Sequence, residues 1–192
     1  LGQLYERSGN WFNALEKLQQ EAQLASGTPE GVELYYRIGK INEEMLLNTE
    51  AAREAYDQAL SFDPGYLPAI KALKEIARAE SDRATGESKK RQQEKYLEWL
   101  RAEAKHTEDD TERTELHTSA GRYLQDEIAD LEGAAREYEA ALAITFDHLE
   151  AARPLAEICL RDEQFDRAEQ LLDIIVDRLD PDEHAHDLCR YH

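Results

Sequence analysis

Residues 33–76 laid over residues 115–158, an offset of 82 with no gap, are identical at 13 of 44 positions. Chance at ordinary composition would give about three. The matches include Glu33/Glu115, Leu34/Leu116, Gly39/Gly121, Ala52/Ala134, Tyr56/Tyr138, Ala59/Ala141, Leu60/Leu142 and Leu73/Leu155. A second gap-free overlay sets 1–38 on 155–192 and matches Leu1/Leu155, Arg7/Arg161, Ala14/Ala168, Leu18/Leu172 and Leu34/Leu188, with Trp11 facing Phe165. Such a chain is expected to consist of similar units, none able to bury its apolar face without a neighbour. Because the chain starts and stops at nearly the same phase of the unit, it reads as a piece of a longer protein.

Periodicity makes the units helical. There are 26 Ala and 24 Leu, but Val only at positions 32 and 176, so the β-branched supply for a sheet is poor. Apolar residues recur at helical spacing, and breakers divide them: Ser8-Gly9-Asn10, Gly27-Thr28-Pro29, Asn48-Thr49, Asp63-Pro64-Gly65, Thr85-Gly86 and Asp180-Pro181. The expected helices are 1–8, 11–25, 30–46, 50–61, 67–82, 88–105, 112–128, 132–144, 149–161, 165–179 and 182–192. Thr28 before Pro29 suits an N-cap followed by proline in the first turn. Short loops between such helices make antiparallel hairpins. Gly39 and Gly121 fall in mid-helix, where glycine costs about 1 kcal/mol relative to alanine, so a close approach of a second helix is expected there. Tyr56, Ala59 and Leu60, with their copies Tyr138, Ala141 and Leu142, form the buried stripe at i, i+3, i+4.

The ordered series Tyr35, Ile38-Gly39, Ala52, Tyr56, Ala59-Leu60 and Pro64 resembles the motif of the tetratricopeptide repeat (TPR) family. The copy has His117, Ala120-Gly121, Ala134, Tyr138 and Ala141-Leu142, with Phe146 in place of the proline. The resemblance implies an all-α, right-handed α-solenoid of antiparallel helix hairpins, a single TPR-like domain over 1–192. Its units would be a partial repeat 1–28, a repeat 29–66, an elongated repeat 67–111, repeats 112–147 and 148–181, and a partial repeat 182–192. Two departures stand out. Gly39 to Ala52 and Gly121 to Ala134 are each one residue longer than the family's usual spacing, which calls for an enlarged turn. About ten extra residues fall near 80–95, where no motif survives. That stretch holds the basic cluster Lys89, Lys90, Arg91 and Lys95, with Tyr96 and Trp99. It reads either as a projecting contact site or as a longer hairpin with a solvated polar face and Trp99 packed inward.

The resemblance also implies a function: a non-enzymatic scaffold binding protein or peptide on the concave face formed by the first helix of each pair. Helical register puts Tyr36, Lys40, Glu43, Lys71, Glu75, Arg78, Thr118, Arg122, Gln125, Arg153, Glu157 and Arg161 on that face. The face is richer in cations than the chain as a whole. One reading is a groove that grips carboxylates through Lys40, Lys71, Arg78, Arg122, Arg153 and Arg161; the other is a face of intramolecular ion pairs. The family's clamp for chaperone tails is not expected, because Gln3, Lys40, Glu75, Arg122 and Glu157 stand where it needs asparagine. The alternative function is an architectural spacer or oligomerisation element of a larger protein.

With 42 acidic against 23 basic residues the net charge is −19, which disfavours nucleic acid and anionic membrane surfaces as partners. No run of about 18 uncharged apolar residues is present for membrane insertion. Two cysteines make no disulfide framework and fit a cytoplasmic setting. No nucleophile or phosphate-binding motif appears, so no enzyme and no cofactor are expected. His186, Cys189 and His192 fall on one side of a helix as an alternative metal set, but one helix seldom closes a tetrahedral shell, and packing is the expected role. Apolar end faces at Leu1, Leu4 and Tyr5 and at Leu188, Cys189 and Tyr191 are expected to allow self-association.

Overall fold

The computed structural model describes residues 10–178, and every described regular element is helical. The helices are α1 (Trp11–Leu24), α2 (Pro29–Glu44), α3 (Thr49–Phe62), α4 (Leu67–Arg83), α5 (Gly86–His106), α6 (Asp110–Tyr123), α7 (Leu131–Ile144), α8 (Leu149–Arg161) and α9 (Phe165–Arg178). Each begins within two residues of its expected start. The terminal helices expected at 1–8 and 182–192, the two apolar end faces and the His186, Cys189, His192 set lie outside the described residues. Contacts group the chain into two compact units, the first ending at His106 and the second beginning at Thr107. Within each unit every helix packs against the next, which gives the antiparallel hairpins α2/α3 and α4/α5 in one and α6/α7 and α8/α9 in the other.

Caps explain where the helices begin. Asn10, Thr28, Asn48, Asp109 and Asp130 each accept a hydrogen bond from the backbone N–H three residues on, which satisfies one donor the helix leaves unpaired. Pro29 follows Thr28 at the first helical position, as the sequence indicates.

The hairpins close through the mid-helix glycines. A Cβ placed on Gly39 would lie 2.3 Å from Cε1 of Tyr56, and one on Gly121 would lie 2.6 Å from Cε1 of Tyr138. Both rings are buried, and the alanines one turn before them, Ala52 and Ala134, are fully covered. Glycine is therefore present so that the tyrosine of the second helix can lie against the backbone of the first. Around Tyr56 the first unit gathers Val32, Ala59, Ala69, Leu73 and Ile76, with Trp99 packed onto that cluster. The ten extra residues lengthen α4 and α5, and Trp99 packs inward on the resulting long hairpin.

The enlarged turns have a common form. Leu47 and Ala129 take left-handed backbone angles, with φ of 53° and 62°. The N–H of Asn48 reaches back to the carbonyl of Asn42 at 2.8 Å, and that of Asp130 to Leu124 at 2.9 Å. In the second unit the last turn before this closure is a π-helical segment, Leu124–Ile128. The α8/α9 turn is one residue tighter: Glu163 is left-handed, and the N–H of Gln164 bonds the carbonyl of Cys159 at 2.9 Å. The extra residue between glycine and alanine is absorbed in the width of that closing ring.

Gly39→Ala and Gly121→Ala should each destabilise the chain by about 2 kcal/mol, because overpacking against a buried ring outweighs the helix-propensity gain of about 1 kcal/mol. Urea unfolding monitored by circular dichroism measures this; unchanged midpoints would contradict the interlock.

Candidate functional site

The groove between α2 and α4, the first helices of successive hairpins, is about 450 Å³ in volume. Tyr36, Leu67, Pro68 and Ala72 line its apolar part, and Lys40, Glu43, Lys71 and Glu75 its charged part. Five of the residues singled out from the sequence thus meet in one place: Tyr36, Lys40, Glu43, Lys71 and Glu75.

Aromatic packing stiffens one wall. The Tyr36 ring lies 5.7 Å from that of Tyr56 and 5.6 Å, edge-on, from that of Tyr66. Tyr56 donates its hydroxyl to Glu43 Oε2 at 2.6 Å, and Tyr66 donates to Glu33. Burial, reinforced by these carboxylates, pushes both phenols well above their ordinary value.

The groove's cations are matched by carboxylates of the same chain. Lys40 Nζ sits 2.5 Å from Glu44 Oε1 and 3.7 Å from Glu43 Oε2. Its hydrogen bond to Glu44 outweighs partial burial and raises its pKa. Lys71 lies 3.7 Å from Glu103 Oε1, and Lys74 holds the other oxygen of that carboxylate at 2.7 Å. Glu103 is only 3% exposed, so α5 places a buried anion beneath the groove's lysine side. Arg78, farther along α4, lies 3.5 Å from Asp82 and 5.3 Å above the Tyr96 ring. An acidic ligand at Lys40 or Lys71 would compete with these internal carboxylates.

The other six singled-out residues belong to the second unit. Thr118 has the register of Tyr36 but is 1% exposed, so it offers no surface to a ligand. Its hydroxyl turns back to the carbonyl of Thr114 at 2.9 Å, the habit of a short hydroxyl side chain within a helix. Gln125 sits in the π segment and accepts from the Tyr138 hydroxyl at 3.1 Å. Arg122 and Glu157 are exposed, Arg153 is half-buried, and Arg161 lies 3.5 Å from Asp162. Sequence reasoning missed Glu103. Its only signal is its place beside Leu100 and Ala104 on the buried side of α5, where a carboxylate demands a cation.

No protein-family model matches the chain, and no curated protein matches it. Solved structures similar to it include MamA protein (15% identity, 97% of this chain and 91% of that one, TM-score 0.48). They also include PilF of Pseudomonas aeruginosa (16%, 94% and 74%, TM-score 0.45). A third is a Podosopora anserina protein of nearly identical TPR-like repeats of the kinesin-light-chain type (18%, 91% and 90%, TM-score 0.45). These likenesses carry nothing about function, and the hairpin architecture rests on the packing described above. No helix among the described residues is long and apolar enough to cross a membrane.

Two outcomes test the polar framework. Replacing Glu103 by Ala should cost about 2 kcal/mol, since it leaves the largely buried Lys74 with only the longer contact to Glu75 at 3.6 Å, with the half-exposed Lys71 adding little; thermal and urea unfolding check this. Burial holds the Tyr138 phenol protonated up to about 12, against 10.0 ordinarily. Because the folded-state value is raised, that stabilisation is complete below about pH 10 and is lost as pH rises towards 12. Tyr138→Phe should flatten the fall in urea midpoint across that window.

Proposed function

We propose that the chain is a non-enzymatic scaffold that holds a segment of another protein in the α2–α4 groove. The observation that carries this reading is the groove itself, an apolar floor flanked by charges of both signs that are fixed by partners on the same chain. A floor formed by Tyr36, Leu67, Pro68 and Ala72 can take an apolar side chain, and the fixed charges beside it select the residues flanking that anchor. Because Tyr36 is braced by two other tyrosines, little freedom is lost on binding, which favours affinity from a modest area. Internal matching of Lys40 and Lys71 favours a ligand of mixed sequence over one selected for carboxylates alone.

Display selection of random peptides on the intact chain tests this. Selected peptides should lose about ten-fold in affinity on the double variant Lys40→Ala with Glu75→Ala, which leaves the core untouched. Absence of enriched peptides, or peptides indifferent to both changes, would overturn the proposal.

A further inference from the structure

The second unit carries another groove, on the opposite helices of its hairpins. It lies between α7 and α9, has a volume of about 540 Å³, and is lined by Leu142, Leu155, Leu171 and Ile174, with Phe146 at its edge and Asp166, Gln170 and the Arg167–Glu139 pair on its polar side. Phe146 is 71% exposed, a large apolar ring facing solvent beside an apolar floor. The 82-residue offset equates Leu142 with Leu60 and Phe146 with Pro64. In the first unit Trp99, from the helix corresponding to α9, packs onto the cluster that Leu60 borders. Among the described residues the second unit supplies Leu171 and Ile174 there and no aromatic side chain, and these leave the floor around Leu142 uncovered.

Charge decides what fits. α9 carries Asp166, Glu169, Asp173 and Asp177 at i, i+3, i+7 and i+11, one side of a helix. Among the described residues these four carboxylates have no hydrogen-bond or ion-pair partner. The cations of α9 are engaged: Arg167 holds Glu139 at 2.7 Å, and Arg178 holds Asp147. A second copy of the chain brings a net charge of −19 to this acidic edge, and is repelled. Residues 179–192 bring Asp180, Asp182, Glu183 and Asp187 against Arg190, a poor match for the same reason.

We propose that the α7–α9 groove is a second docking site, which takes a basic segment of another protein carrying one aromatic or long aliphatic anchor. The anchor lies on Leu142 and Ile174 against Phe146, above the buried Leu155, and the flanking lysines or arginines meet the carboxylates of α9. This goes beyond the α2–α4 reading and does not depend on it.

The test uses the intact chain and a short, fluorescein-labelled, lysine-rich peptide with one central tryptophan, followed by anisotropy and by amide shifts in the NMR spectrum. The tryptophan-to-alanine peptide, Phe146→Ser, and Asp166→Lys with Asp173→Lys should each weaken binding about ten-fold, while Lys40→Ala with Glu75→Ala leaves it unchanged. All five protein positions in the α7–α9 and α2–α4 sets are at least partly exposed, so these variants should fold. Several results would overturn the proposal: no binding, binding indifferent to loss of the tryptophan, shifts centred on the α2–α4 groove, or α7–α9 shifts that appear on raising protein concentration without peptide.

Discussion

One hairpin of each unit is closed by the contact of a tyrosine ring with a glycine backbone. Helices normally stand apart by the thickness of their side chains. Where Gly39 meets Tyr56, and Gly121 meets Tyr138, that thickness is removed from one partner and the ring occupies it. The ring's hydroxyl is then carried across to the end of the first helix, and the second helix is fixed in rotation. Ala52, Ala59 and their copies are small because the helices are already this close. The positions of the groove-lining side chains on α2 inherit that rotation.

The same frame carries different polar chemistry in its two copies. Tyr56 donates to the carboxylate of Glu43, and Tyr138 donates to the neutral amide of Gln125, at the same offset. Tyr66 donates to Glu33, whereas His148, its counterpart, stands 3.9 Å from Glu115. A repeated backbone thus tolerates exchange of the groups at its polar edge, from a hydroxyl–carboxylate hydrogen bond in one copy to a long imidazole–carboxylate contact in the other. This divergence also separates the two surfaces: a charged groove with a tyrosine wall in one unit, and an apolar groove with an acidic edge in the other.

Much of this was legible in the residues. Breakers and caps located the helices, and the glycine and tyrosine registers located the close approach. The one-residue excess between Gly39 and Ala52 announced the wide turn that Leu47 and the Asn48–Asn42 bond complete. Tyr36, Lys40, Glu43, Lys71 and Glu75, which share the inner register, line one groove. That register failed at Thr118, because register fixes where a side chain leaves the helix and not how far it reaches; a short hydroxyl turned back to its own backbone is covered by its neighbours. It was silent on Glu103, which lies where the repeat pattern is lost.

The sequence by itself determined the helices, the hairpin pairing and the side of α2 and α4 that lines a groove, since these depend on local periodicity and on steric rules within a few turns. Only the tertiary structure decided which charges are spent on one another. Lys71 and Lys74 meet Glu103 across about thirty residues of chain, a distance over which no periodicity operates. It also decided that Trp99 packs onto the core of the first unit, while among the described residues the floor beside Leu142 is left uncovered. The physical reason is that ion pairing and void filling depend on distances between side chains from separate helices, and those distances are set only once the glycine–tyrosine contacts have fixed how the helices lie.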